Sequence, residues 1–275
     1  MSHASSPPAW EHVIGIIGGL GPYAHVEFET LLLGATATAI GRAPTDQDYP
    51  SWVLSSLPRT PDRTNALLAN GASPVDALVR SAARLTEADF AVIPCNTAHA
   101  FLPDVRRRVA LPILDMIEAT AEEAVSTIGP SGTIGLLAAT GTLRSKLYQD
   151  AIERIDPALR TLSPLELNDG EQMQARCIME PIFGEAGIKA GAYHDPKRRD
   201  ELKETMQEAV QALRAAGADL VLTACTEIPL VLGRGSVCDT PLLDPMAVAA
   251  ERAIAIAIGR RPLPTLPEPA SSARA

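Results

Sequence analysis

The chain has 275 residues, 46% of them hydrophobic and 4% aromatic, and its formal net charge is −9. This length suits one large core or two ordinary domains, and the negative charge argues against nucleic acid as a partner. No apolar segment reaches the ~20 residues that span a bilayer, and four cysteines in a chain this long do not predict a disulfide framework, so we expect a reduced, cytoplasmic protein without a membrane anchor.

The first half of the chain alternates apolar strands with helices. Pro22 marks the start of the first helix, because proline is favoured in a first helical turn. Alternation of this kind is typical of a parallel sheet covered by helices. The predicted elements are strands at 13–17, near 52–55, before Cys95 and at 113–115, and helices from Pro22 through Leu33, over 77–85 and over 117–127.

The second half repeats the order of the first. Segment 133–142 matches the segment from residue 13 onward at a fixed offset, and the sequence of 112–115 returns at 241–244. Several correspondences in one order indicate a duplicated unit. Further predicted elements are a helix over 144–155, a strand over 161–167, a helix over 202–215 and a strand ending at Cys225.

This duplication predicts an α/β protein of two pseudo-symmetric, doubly wound parallel-sheet domains, with the active site in the cleft between them. We predict the first domain over 12–118 and the second over 119–244. A helix over 245–258 is expected to pack back on the first domain. Residues 1–11 and 259–275, rich in Pro, Ala and Ser, are predicted to be tails.

One short stretch occurs in both halves. Asp89 and Asp219 each open an apolar run, and six residues later come Cys95 and Cys225. Such a run is typical of a buried parallel strand, whose carboxyl end is where open α/β sheets bind ligands. A helix that starts after the cysteine favours the thiolate, and we expect its pKa to fall from ~8.5 toward neutrality. Two such groups in one cleft can remove a proton from one face of a carbon and return one to the other.

Other interpretations of these residues are weaker. A lone cysteine after a buried strand is more often a core residue, which is our prediction for Cys177 and Cys238. No CxxC spacing is present, so we predict no metal site. The sequence GGLG at 18–21 does not meet the G-x-G-x-x-G spacing of dinucleotide-binding loops. We predict instead that these glycines, Gly19 among them, let the backbone approach a small ligand.

Three motifs together resemble the signatures of the aspartate/glutamate racemase family, in its aspartate racemase branch. They are IGIIGGLGP at 14–22, PCNTAH at 94–99 and ACTEIPL at 224–230, and the resemblance extends over roughly 13–258. It implies a cofactor-independent amino-acid racemase with two pseudo-symmetric domains, commonly a homodimer. Cys95 and Cys225 would be the catalytic acid/base pair.

The same resemblance suggests substrate-binding residues. PDRT at 61–64 resembles the segment whose arginine binds a substrate carboxylate, so Arg63 is the expected clamp. GIKAG at 187–191 resembles the segment whose lysine meets an acidic side chain, which suggests Lys189 as the selector. The α-amino and α-carboxylate groups are assigned to Asn96, Thr97 and Thr226, with Glu227 either at the ammonium group or as a helix N-terminal carboxylate.

The sequence therefore predicts racemisation of an amino acid, aspartate or glutamate, by two cysteines without cofactor or metal. A related isomerase of the maleate or hydantoin type is one alternative. A non-catalytic amino-acid sensor is another, although a binding module needs no pair of cysteines.

Overall fold

The structure, a computed structural model, describes residues 8–129 and 131–266. Each half of the chain forms its own sheet. The first sheet is entirely parallel and has the strand order β2-β1-β3-β4, with β1 (Ile14–Gly18), β2 (Trp52–Ser56), β3 (Phe90–Val92) and β4 (Ile113–Leu114). The helices of this half are α1 (Pro22–Ile40), α2 (Arg63–Leu68), α3 (Val75–Ala82), α4 (Leu102–Arg106) and α5 (Met116–Thr127).

The second sheet repeats this order and adds one strand. It runs β6-β5-β7-β9-β8, with β5 (Thr133–Ala138), β6 (Arg160–Leu162), β7 (Leu220–Ala224), β8 (Gly235–Val237) and β9 (Thr240–Leu243). Among the strands of the described ranges, only the β8–β9 pair is antiparallel. The helices are α6 (Thr140–Arg144), α7 (Leu147–Ile155), α8 (Gly170–Gln174), α9 (Glu180–Phe183), α10 (Pro196–Ala215), α11 (Pro229–Leu232) and α12 (Pro245–Ala257). The predicted fold of two pseudo-symmetric, doubly wound halves is confirmed.

The aspartates that open the duplicated stretch hold neighbouring strands together. The Val13 N–H donates to Asp89 Oδ2 at 2.7 Å, and the Thr133 N–H donates to Asp219 Oδ2 at 2.9 Å. Each carboxylate satisfies a backbone donor at the amino end of the adjacent strand, where the sheet supplies no partner. These repeated residues are therefore structural.

A second repeated aspartate begins the helix after each short strand. Asp115 Oδ1 accepts the N–H groups of Ile117 and Glu118 at 3.1 and 3.2 Å, and Asp244 Oδ1 accepts that of Met246 at 2.9 Å. Aspartate is a preferred N-cap because its carboxylate pairs with otherwise free donors of the first turn. The repeat thus encodes the starts of α5 and α12.

Helix α12 packs against α1 of the first half and against α5, whose buried residues Ile117, Ala121 and Ala124 belong to the core of the second half. Its residues Met246 and Ala253 belong to the same buried cluster as Phe28 and Leu32 of α1. Trp10 and Leu263 also pack on this cluster. The rest of the predicted tails, 1–7 and 267–275, lies outside the described residues, and the domain limits stay a prediction. No helix within the described ranges is long and apolar enough to cross a membrane.

The second half departs from the predicted elements in several places, of which three have a clear local cause, and its short helices α8, α9 and α11 were also not predicted. The helix predicted over 144–155 is broken, because Lys146 has a φ of 54° that a right-handed helix does not allow. The strand predicted over 161–167 ends at Leu162, since Ser163 and Glu166 form a capping box around a short turn. Strand β8 was not predicted; it pairs with β9 through a turn in which Cys238 and Asp239 have positive φ.

Candidate active site

A small cavity lies between the two halves, where the residues that follow β3 and β7 meet. Its free volume is about 10 Å³, room for about one water molecule. All predicted site residues except Gly19 line it. The lining consists of Asp62, Arg63, Thr64, Cys95, Asn96, Thr97, Ala139, Phe183, Lys189, Cys225, Thr226 and Glu227.

Each half contributes one cysteine to the cavity. Cys225 directly follows β7, and Cys95 lies three residues beyond β3; they are 7% and 6% exposed. The helical segments that follow are short: a 3-10 turn (Thr97–Phe101) after Cys95, and the four-residue α11 after Cys225. A short helix provides a weak dipole, so the neighbouring side chains control the charge state of the thiols.

Burial and the neighbouring Glu227 carboxylate both favour the thiol form of Cys225. The Cys225 Sγ donates to Glu227 Oε2 at 3.2 Å. Burial raises the pKa of Cys225 well above its ordinary value, and the negative charge of Glu227 raises it further. The predicted lowering of this pKa by a helix N-terminus is therefore wrong for Cys225, because desolvation and an adjacent carboxylate both disfavour the thiolate.

Glu227 is also paired with Lys189. The Lys189 Nζ donates to Glu227 Oε1, and the Thr226 hydroxyl donates to Glu227 Oε2 at 3.0 Å. Burial opposes both charges, but the partner's charge outweighs it, so the pKa of Glu227 is lowered and that of Lys189 is raised. The cavity therefore contains a charged, nearly buried ion pair, with side chains 3% and 23% exposed.

The backbone around Lys189 explains its position. Lys189 lies in a single 3-10 turn (Ile188–Ala190), anchored by the fully buried Ile188. Gly191 ends this turn with a φ of 82°, and an added Cβ there would come within 2.6 Å of the Tyr23 hydroxyl. Glycine is therefore required twice, for the left-handed conformation and for close approach to the first half.

Arg63 is fixed by backbone carbonyls from two loops. It is the first residue of α2, whose N-cap Asp62 accepts the N–H of Asn65 at 2.7 Å. Its Nη2 donates to Leu20 O at 2.8 Å and its Nη1 to Pro61 O at 3.2 Å. The buried Nε has no hydrogen-bond partner among the described residues. Arg63 thus keeps its Nε–H and a second N–H on each Nη as donors for a carboxylate.

Asn96 and Thr97 are held by side chains of the second half. The Tyr148 hydroxyl donates to Asn96 Oδ1, and the hydroxyls of Thr97 and Thr142 lie 2.8 Å apart. Sequence reasoning did not single out Tyr148 or Thr142. Thr142 lies in the duplicated segment 133–142, which offered a signal, whereas a tyrosine within a helix is ordinarily a core residue.

Gly19 does not line the cavity. Its N–H donates to His25 Nδ1 at 3.1 Å, and an added Cβ would lie 2.6 Å from the backbone of Leu57. Gly21 is the loop glycine that approaches the site, since its Cβ would lie 2.7 Å from Glu227 Oε1. The glycines thus permit close packing of the loop, while the contact with Arg63 comes from the carbonyl of Leu20.

Comparison with known families agrees with this geometry. The model of the Asp/Glu/Hydantoin racemase family matches residues 17–253. The chain belongs to this family. As a member it is an enzyme of the isomerase class, and the two-sheet architecture is the one that its solved relatives have.

Three relatives show how this racemase compares. The broad specificity amino-acid racemase RacX of Bacillus subtilis is 23% identical over 250 residues, which cover 88% of this chain and 96% of RacX. The glutamate racemase of Corynebacterium diphtheriae is 34% identical over 143 residues, or 52% of this chain and 46% of that protein. The Picrophilus torridus aspartate racemase superposes with a TM-score of 0.72 at 27% identity, covering 89% of this chain and 94% of that one.

His99 fixes the backbone of the loop that contains Cys95. Its Nδ1 lies 2.9 Å from Cys95 O, and its Nε2 lies 3.2 Å from the Met116 N–H. Because a backbone N–H can only donate, Nε2 is the acceptor and Nδ1 carries the proton. Burial lowers the pKa of His99, which favours this neutral form. His99 therefore ties the Cys95 loop to the start of α5.

Proposed function

We propose that this racemase interconverts the enantiomers of an acidic amino acid, aspartate in the first place, using Cys95 and Cys225 as an acid/base pair. One observation carries the proposal: equivalent positions in the two halves each deliver a buried thiol to the same cavity. A reaction that inverts a carbon needs a proton acceptor on one face and a proton donor on the other, and two pseudo-symmetric halves supply such a pair.

The charges of the cavity support an acidic substrate. Arg63 and Lys189 are cationic and Glu227 is anionic, which complements the two carboxylates and one ammonium of aspartate. The side-chain carboxylate of the substrate would replace Glu227 as the ion-pair partner of Lys189. Glu227 would then accept a hydrogen bond from the ammonium group of the substrate. Glutamate carries the same charges, and the likeness to the Picrophilus torridus aspartate racemase favours the shorter substrate.

The proposed reaction uses one proton transfer at each thiol. The Cys95 thiolate takes the α-proton, and the electron pair of the broken C–H bond stays on the substrate as a carbanion. The Cys225 thiol gives its proton to the opposite face, which leaves Cys95 as thiol and Cys225 as thiolate; the other enantiomer reacts in reverse. Hydrogen-bond donors at Asn96 and Thr97 stabilise the carbanionic state electrostatically.

A chiral assay over all proteinogenic amino acids, without added pyridoxal phosphate, tests this function. We expect aspartate to racemise fastest, followed by glutamate. Hydantoins are included in this assay as substrates of related isomerases, and maleate, which is achiral, is tested separately for conversion to its trans isomer. Activity confined to neutral or basic amino acids, or binding of aspartate without loss of its optical activity, would contradict the proposal.

Lys189→Ala tests the choice of substrate. We expect the ratio of kcat/KM for aspartate to that for alanine to fall by about 30-fold, since a buried carboxylate loses ~2 kcal/mol or more with its cationic partner. General damage to the site cancels in this ratio. Lys197→Ala, at a lysine whose side chain is 89% exposed, is the matched control. An unchanged ratio in Lys189→Ala would remove Lys189 as the selector.

We further propose that the enzyme is a cytoplasmic homodimer that needs neither metal nor organic cofactor. Activity should survive dialysis against EDTA and treatment with carbonyl-trapping reagents. Loss under EDTA with recovery on adding zinc would refute free thiols at the site. Sedimentation of the purified protein tests the dimer.

A further inference from the structure

Tyr148 is a polar contact between the halves that none of the proposed catalytic steps uses. It lies in α7 of the second half and is 1% exposed, yet its hydroxyl reaches Asn96, the residue after Cys95 in the first half. A buried tyrosine hydroxyl is usually hydrogen-bonded, so the contact itself is expected. The unusual feature is the residue that accepts this hydrogen bond, because Asn96 lines the cavity.

The contact fixes which end of the Asn96 amide the cavity receives. Tyr148 donates to Oδ1, while the buried Nδ2 of Asn96 has no hydrogen-bond partner among the described residues. Burial raises the pKa of Tyr148 well above its ordinary value, so the hydroxyl keeps its proton at neutral pH. A buried donor without a partner is costly, which indicates a ligand that accepts from it.

A second free donor lies on the same cavity. The Nε of Arg63 is buried and also without a partner among the described residues. Arg63 Nε and Asn96 Nδ2 together offer one charged and one neutral N–H to an anion with two acceptor atoms. A carboxylate fits this donor pair, and every amino acid carries one at Cα.

We propose that Tyr148 is a positioning residue that holds the Asn96 amide with its nitrogen toward the α-carboxylate of the substrate. This inference rests on the proposed amino-acid substrate but not on aspartate, because the α-carboxylate is common to all amino acids. The role also couples binding to closure of the cleft, since Tyr148 and Asn96 belong to different halves.

A double-mutant cycle on the best substrate of the chiral assay tests the role. Tyr148→Phe removes only the hydroxyl, and we expect kcat/KM to fall about tenfold, mainly through KM. In an Asn96→Ala background the same change should have almost no effect, because no amide remains to be oriented. Equal losses in both backgrounds, or no loss in either, would overturn the proposal.

Asn96→Asp distinguishes the two orientations of the amide. Aspartate still accepts from Tyr148 but presents an oxygen where the amide nitrogen stands, so it should repel the α-carboxylate. We expect Asn96→Asp to be less active than Asn96→Ala. The reverse order would mean that the oxygen of Asn96 faces the substrate, which overturns the assignment.

A readout independent of activity separates this inference from the proposed function. In ¹⁵N NMR, the Asn96 side-chain amide, assigned by its absence in Asn96→Ala, should give one sharp pair of signals that broadens or doubles in Tyr148→Phe. An unchanged sharp pair would overturn the inference even if aspartate proves to be the substrate. If the enzyme racemises other amino acids but not aspartate, only the proposed substrate is refuted.

Ser81→Ala is the matched control for loss of a buried hydroxyl. The Ser81 hydroxyl lies 2.9 Å from that of Ser55, away from the cavity, and Ser81 is 1% exposed. It should lower thermal stability about as Tyr148→Phe does, while kcat/KM and the Asn96 signals stay unchanged. If Ser81→Ala lost as much kcat/KM as Tyr148→Phe, the effect of Tyr148→Phe would be explained by lower stability, and the positioning role of Tyr148 would be refuted.

Discussion

Cys95 and Cys225 occupy equivalent positions in the two halves, but their electrostatic surroundings differ. Arg63 lies close enough to Cys95 for a Cys95 thiolate to raise the pKa of the guanidinium. Cys225 instead donates to the Glu227 carboxylate. Because burial and an adjacent anion both disfavour a thiolate, we expect the resting enzyme to hold a proton on Cys225.

Glu227→Gln should make Cys225 easier to ionise. Burial is the largest cause of the raised pKa of Cys225, but the charge of Glu227 adds to it, while Lys189 lowers it. The substitution removes the anion and leaves the cation, so the pKa of Cys225 should fall. Peptide-resolved iodoacetamide labelling across a pH series measures this as a midpoint at lower pH than in the unmodified enzyme.

Cys177 is the internal control for this experiment. Its pKa is raised by burial, and its other neighbours are Arg176 and Glu208 rather than Glu227. Its labelling midpoint should be the same in both proteins. A Cys225 midpoint that does not move, or that moves together with Cys177, would show that Glu227 does not control the thiol.

Asp115 stabilises the start of a helix that contacts the site. It caps α5, whose first residue, Met116, gives its N–H to His99 beneath the Cys95 loop. Asp115→Ala should lower the free energy of unfolding by about 1 kcal/mol, the usual effect of losing an N-cap. Chemical denaturation measures this. Asp200→Ala, at an exposed aspartate within α10, should leave stability nearly unchanged, and equal effects of the two changes would contradict the capping role.

The strands that occur in both halves, and the cysteines that follow two of them, could be predicted because the duplication presents each pattern twice. Local departures from regular backbone geometry could not be predicted in this way. The break at Lys146 and the turn at Cys238 and Asp239 depend on positive φ at residues other than glycine, for which sequence gives a weak signal. The early end of β6 was foreseeable, since Ser163 and Glu166 have the spacing of a capping box.

Contacts between residues far apart in the chain were the least predictable part of the site. The Lys189–Glu227 pair and the Tyr148–Asn96 bond join residues 38 and 52 positions apart. Side chains at such separations are brought together only by the packing of the sheets, so residue type alone did not indicate them. The motif residues were predictable because they lie at strand ends, which the fold class itself places at the cleft.

The two halves approach closely at a pair of duplicated glycines. A Cβ on Gly21 would lie 2.7 Å from Glu227 Oε1 in the other half, and a Cβ on Gly141 would lie 2.8 Å from Thr64 Oγ1. Each half therefore places a glycine against the site residues of its counterpart. With about 10 Å³ of free volume, the cavity must enlarge before an amino acid can enter.

Gly141→Ala should hold the halves apart. Ala suits the helical backbone of α6, but its methyl group would press on Thr64 and Thr97 across the cleft. We expect kcat/KM to fall about tenfold or more, because small displacements of catalytic groups are costly. Steady-state kinetics measure this loss.

Gly34→Ala provides the matched control, since this glycine lies within α1 and has nothing within 4 Å of an added Cβ. It should stabilise the protein by about 0.5–1 kcal/mol and leave activity unchanged. If Gly141→Ala were as active as Gly34→Ala, close approach at Gly141 would not matter for catalysis.

The claim that one cysteine stands on each face of Cα is tested most directly by hydrogen exchange. Cys95→Ser and Cys225→Ser are each incubated in deuterated water with L- and with D-aspartate; NMR follows deuteration at Cα and chiral chromatography follows the enantiomers. We predict that neither variant racemises aspartate, since a hydroxyl is a far poorer base than a thiolate. Each should still exchange the α-hydrogen of one enantiomer slowly, and the two variants should act on opposite enantiomers. Full racemisation by either variant, or exchange of the same enantiomer by both, would contradict the two-cysteine mechanism.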